Sequence, residues 1–117
     1  MVGVNAVRNE ILKLLPTCIR YIINQIDIDY NSLIELRFRI CEPLILVFTQ
    51  GEYFVQNCGG LTLDRKKAYR VTADDIRGII DAVTDYSLYA YEDEVRQGFV
   101  LLLTAGILFA VLTAWFP

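Results

Sequence analysis

Residues 98–117 read GFVLLLTAGILFAVLTAWFP, a run without one charged side chain, whereas every Lys, Arg, Asp and Glu of the chain lies at or before Arg96. A stretch this long and apolar is what a membrane-spanning helix requires, since roughly 20 residues at a 1.5 Å rise cross the hydrocarbon core. A shifted reading frame can also generate such a run. The choice decides whether the chain is a small anchored protein or a water-soluble fold followed by an unrelated remnant. On either reading the boundary falls near Val100, with a domain over 1–100 and a hydrophobic tail over 101–117.

Working back from that boundary, the pattern becomes regular. Leu88, Tyr91 and Val95 face one way while Glu92 and Arg96 form an i, i+4 pair, which predicts a helix ended by Gly98. Thr72 with Asp75 three residues on resembles a capping box, and Ile76, Ile79, Ile80 and Val83 give a 0, 3, 4, 7 stripe behind it. Ala68–Val71 reads as a short strand, and 57–67, with Gly59, Gly60 and a basic end, as a solvated loop. Residues 44–49, a turn at 50–52 and residues 53–56 predict an antiparallel hairpin. Ile34, Leu36, Phe38 and Ile40 alternate with Glu35, Arg37 and Arg39, which is a strand with one wet face. At the start, Val7, Ile11, Leu14 and Leu15 make one helical stripe, and Ile19, Ile22, Ile23 and Ile26 make a second behind Pro16, placed as its first helical residue. The sum is an α+β domain: two helices, a small and mostly antiparallel sheet, two further helices, then the tail.

Composition narrows the function. With 117 residues the chain is about one domain. A net charge of -3 provides no basic footprint for nucleic acid. The absence of histidine removes the usual general base and the commonest metal ligand. Cys18, Cys41 and Cys58 are odd in number and contain no Cys-x-x-Cys pair, so they read as small buried hydrophobes in a reducing cytosol. None of the glycines sits in the pattern G-x-x-x-x-G-K-[ST], so no phosphate-binding loop is present and the chain is expected to be no enzyme. Glu92, Asp93 and Glu94 fan out around a helix and do not converge on an ion. Tyr86, Tyr89 and Tyr91 have the rigid area and polar tip that suit an interface.

Two segments carry a family resemblance. Glu35 to Arg39 with Pro43 and Leu44 read E-L-R-F-R-x-x-x-P-L, and Tyr86 to Phe99 read Y-S-L-Y-A-Y-E-D-E-V-R-Q-G-F. Together with Thr72, Asp75 and Ile76 they resemble the N-terminal region of the stage III sporulation protein AA family, in the secretion-type ATPase group. The resemblance covers approximately Asn5 to Val100. It implies a non-catalytic N-terminal assembly domain, lying ahead of an ATPase core that energises a secretion-like channel between mother cell and forespore. Cytoplasmic placement in the mother cell is implied, at the membrane through partners, with other subunits and membrane proteins of the same complex as those partners and no nucleic acid. ATP and Mg are expected only in the full-length family, and no cofactor in this chain. The candidate interaction residues are Arg37, Arg39, Tyr89, Glu94 and Arg96, the arginines as bidentate partners for carboxylates on another surface.

The resemblance also sharpens the tail. Past this point the family continues with a strand, a Gly-Gly-His-Arg turn and another strand, and regrouping the codons of Leu103 to Ile107 by one base permits Asp-Gly-Gly-His. A frame slip just after Val100 is therefore the working expectation. Its rival is a tail-anchored protein in which 98–117 contacts the membrane, with Trp115 and Phe116 at the interface.

Overall fold

The computed structural model describes residues 4–84 and 98–112. Its helices α1 (Val4–Leu12) and α2 (Thr17–Asn24) pack side by side across a turn at Pro16, which stands at the N-cap of α2 and not inside it. Arg20 fastens the turn, because its guanidinium donates to the carbonyls of Leu12 at 3.0 Å and Leu15 at 2.9 Å. The Leu12 carbonyl also accepts the Leu15 amide at 3.1 Å, so the side chain adds a second bond where the helix ends. Ile19, Ile22 and Ile23 of α2 are buried.

Strand β1 (Leu33–Arg39) follows, and a bulge between Leu33 and Glu35 modifies the expected alternation. Leu33 turns into the core together with Leu36 and Phe38, and Ile34 is left 45% exposed. An extra residue in one strand shifts which side chains face inward, a change that apolar spacing alone does not reveal. β2 (Ile45–Phe48) and β3 (Gly51–Val55) form the hairpin. β4 (Leu61–Thr62) pairs with β3 inside the segment read as loop. Ala68–Val71, read as a strand, makes single bridges only, Gln56 to Ala68 and Pro43 to Arg70. There the Leu44 amide donates to Tyr69 O at 2.9 Å and the Tyr69 amide to Val55 O at 2.7 Å, so the segment stitches β2 to β3 where they part.

Helix α3 (Ala73–Thr84) starts with a reciprocal capping box. Asp75 N–H donates to Thr72 Oγ1 at 3.1 Å, and Thr72 N–H donates to Asp75 Oδ2 at 3.0 Å. Tyr69 donates its hydroxyl to the same carboxylate oxygen. The helix expected over 88–96 lies outside the described residues.

The largest correction concerns the uncharged run. Phe99–Thr104 is strand β5 and Ile107–Leu112 is strand β6, joined by Ala105 at φ 51° and Gly106 at φ 78°. Two successive positive φ values make the two-residue turn that matches strand twist. β6 enters the sheet parallel to β1, with Leu36 beside Phe109 and Phe38 beside Val111. The rings of Phe38 and Phe109 stack 5.9 Å apart. Residues 101–112 are thus part of the domain and not a tail beyond it, and the boundary at residue 100 falls inside a strand. Among the described residues no helix is long and apolar enough to cross a membrane.

The six strands run in the order β4-β3-β2-β1-β6-β5, and β1 with β6 is the one parallel pairing among the described residues. One sheet face, carrying Leu36, Phe38, Leu46, Phe109 and Val111, forms a single core with Ile11, Leu15, Ile19 and Ile79 from the helical side. The fold is α+β with a mixed sheet.

Candidate interaction surface

Alternation that sends Leu36 and Phe38 inward sends Glu35, Arg37 and Arg39 to the opposite face, and the strand register lays that face out in three rows. Phe99, Leu112 and Arg39 form the first row. Leu101, Ala110, Arg37, Ile45 and Phe54 form the second. Leu103, Leu108, Glu35, Val47 and Glu52 form the third. The face is therefore apolar along β5 and β6 and charged along β1. Leu101 is 51% exposed, Leu103 69% and Phe99 37%. An open sheet face is ordinarily the polar one, so uncovered leucines on an edge strand are the anomaly of this surface.

The two arginines of β1 differ in kind. Arg37 donates from Nε to Glu35 Oε2 at 2.9 Å and from Nη1 to Glu52 Oε1 at 3.3 Å, bracing β1 to β3 across β2. The bond to Glu35, with the charges of Glu35 and Glu52, raises its pKa against a smaller opposing effect of burial. Arg37 is thus already matched within the chain. Arg39 has no ion pair or hydrogen bond among the described residues, and it is exposed at the end of its strand.

Arg39 opens onto a cleft of about 420 Å³. Arg37 and Arg65 line it with Glu42, and Pro43, Ile45 and Leu112 supply its apolar wall. Arg65 is positioned by a short 3-10 turn, Arg65–Lys67, in which Asp64 accepts the Lys66 amide at 3.0 Å. From there its guanidinium pairs with Glu42. The cleft holds three guanidinium groups and one carboxylate, and Glu42 is committed to Arg65.

Of the residues singled out in the sequence, Arg37 and Arg39 lie together on this face, whereas Tyr89, Glu94 and Arg96 are outside the described residues. Arg65 and Glu42 were not singled out. They are 23 positions apart and meet only in three dimensions. The stripe Phe99, Leu101, Leu103 was hidden because Val100 and Leu102 between them are apolar too. The cysteines correct an expectation: Cys18, Cys41 and Cys58 are all free and exposed. Cys41 sits in a turn at φ 64°, outside the strands and helices that build the core. Among the described residues no group of three His, Cys, Asp or Glu side chains could hold a metal ion.

Comparison with known proteins places this geometry. The family described as Sporulation stage III, protein AA matches residues 5–110. Stage III sporulation protein AA of Bacillus subtilis (strain 168) is 25% identical over 95 residues, covering 80% of this chain and 27% of that protein. The chain therefore spans about a quarter of the length of the curated relative it matches. No solved structure matches. The family match continues beyond Val100 to residue 110, through the β5–β6 turn and into β6.

Proposed function

The chain belongs to the sporulation stage III protein AA family, and from that premise we propose that it is a non-catalytic N-terminal assembly domain. In this reading the full-length protein is an ATPase that energises a secretion-like channel from mother cell to forespore. The domain would lie on the cytoplasmic side of the mother cell, held at the membrane by its partners. Those partners are further subunits of the same protein and membrane proteins of the channel. Nucleotide and Mg would be bound by the rest of the longer protein, because the sequence here contains no G-x-x-x-x-G-K-[ST] loop.

The observation that supports an assembly role is the open sheet face, where apolar side chains of β5 and β6 lie next to Arg37 and Arg39 of β1. Such a mixture of exposed apolar area with Arg is typical of interface cores and their borders. The test is co-assembly of this chain with the full-length family protein, followed by size-exclusion chromatography. Charge reversal of the unpaired Arg39 should weaken association by roughly tenfold or more while the circular dichroism spectrum is unchanged. An unaltered elution profile would count against the assembly reading.

A further inference from the structure

The three-row face is more specific than a generic sticky surface, because its charges have been counted out against each other. Glu35 and Glu52 are held by Arg37, and Glu42 is held by Arg65. Of the cations on the three-row face, Arg39 alone has no ion pair among the described residues, and it stands beside Leu112 in the first row, with Phe99 one strand further on. We infer that this face binds an acidic amphipathic segment of a partner protein, whose apolar side lies along β5 and β6 and whose carboxylate enters the cleft against Arg39. The inference rests on the assembly reading and specifies the chemistry of the occupant.

Charge complementarity selects that occupant. A second copy meeting the surface face to face brings no free carboxylate from it, since all three on or beside this face are already paired. A lipid headgroup could offer a phosphate to Arg39, yet the third row would then press Glu35 and Glu52 toward the same bilayer. A partner carboxylate avoids both difficulties. The cleft of about 420 Å³ has room for a side chain and its first water neighbours. The guanidinium presents a planar fork that matches a carboxylate in two parallel hydrogen bonds. The leucine stripe supplies the non-directional part of the affinity, and Arg39 sets register and sign.

Two synthetic helical peptides with the same leucine pattern, one bearing Glu and one bearing Lys on the flank of the apolar side, provide the probe. Titrated into the intact 117-residue chain, the Glu peptide should bind roughly tenfold tighter than the Lys peptide. Arg39→Glu should reverse that order, and Arg39→Gln should abolish the discrimination. Leu101→Asn should weaken both peptides by a similar factor. Because Arg39 and Leu101 are exposed, these variants should melt within a few degrees of the parent, which is checked first. Equal binding of the two peptides, or an order that Arg39→Glu leaves intact, overturns the inference. Self-association in sedimentation velocity that Leu101→Asn removes, without peptide discrimination, assigns the face to a second copy instead. Adsorption to phosphatidylcholine vesicles that blocks both peptides assigns it to a membrane. If the chain still co-assembles with the full-length protein while the peptides fail to discriminate, this surface is wrong and the assembly reading stands.

Discussion

Asp75 is the buried charged residue among the described side chains, at 5% exposure, and its single carboxylate accepts from both the Thr72 amide and the Tyr69 hydroxyl. Asp75→Ala leaves those donors without a partner and removes half of the capping box. A loss of about 1–3 kcal/mol in urea unfolding is expected. The same contact gives the chain a signature at high pH. Burial, then the bond to Asp75, push the Tyr69 hydroxyl well above its ordinary 10.0. The folded chain therefore keeps a proton that the unfolded chain gives up, so the contribution is intact below about pH 10 and stability falls as pH rises past it. The melting temperature should drop more gently between about pH 9 and pH 11 in Tyr69→Phe than in the parent. Thr72 and Asp75 were legible in the sequence because a cap is local chemistry: the four residues from Thr72 to Asp75 suffice to define it. The third participant, Tyr69, was not, since its contact depends on the bridges that carry 68–71 across β2 and β3.

Among the elements, the β5–β6 hairpin teaches most about what periodicity can and cannot reveal. β1 was readable because Glu35, Arg37 and Arg39 interrupt its apolar positions with a period of two. β5 and β6 carry apolar residues on both faces, one packed on the core and the other left open, so no period survives to tell strand from helix. Only the Ala105-Gly106 pair marks a turn, and Ala is an unusual residue for the φ of 51° it adopts. A left-handed conformation costs an ordinary side chain on the order of 1 kcal/mol, and Asn and Gly avoid most of that. Ala105→Asn or Ala105→Gly should therefore raise the unfolding free energy by about 0.5–1 kcal/mol. If 99–112 instead formed a helix, the Gly change would be destabilising by a similar amount. Chemical denaturation of the two variants separates those outcomes by sign.

At the scale of the whole molecule, the sheet is organised around its first and last strands. β6 lies between β1 and β5, so removing residues 101–117 would strip β1 of one neighbour and uncover Leu36 and Phe38. That deletion should yield a chain that binds a hydrophobic dye and shows no cooperative thermal transition, because a buried face and a strand edge are exposed together. A well-folded product would mean that the uncharged run is dispensable. The helices, the first strand and the hairpin carry sequence patterns that mark an α+β domain. Sheet order does not follow from them, because the parallel pairing of β1 with β6 joins segments that share no local signal.

The same pairing sets a schedule for biogenesis. Arg39 finds its neighbour in Leu112, which a ribosome adds only after a further 73 residues. At ordinary synthesis speeds of about 5–20 residues per second, the nascent β1 waits roughly 4–15 s with that edge unclosed. During this interval the cell must shield it, so yield in vivo should depend on holdase capacity more than the size of the domain suggests.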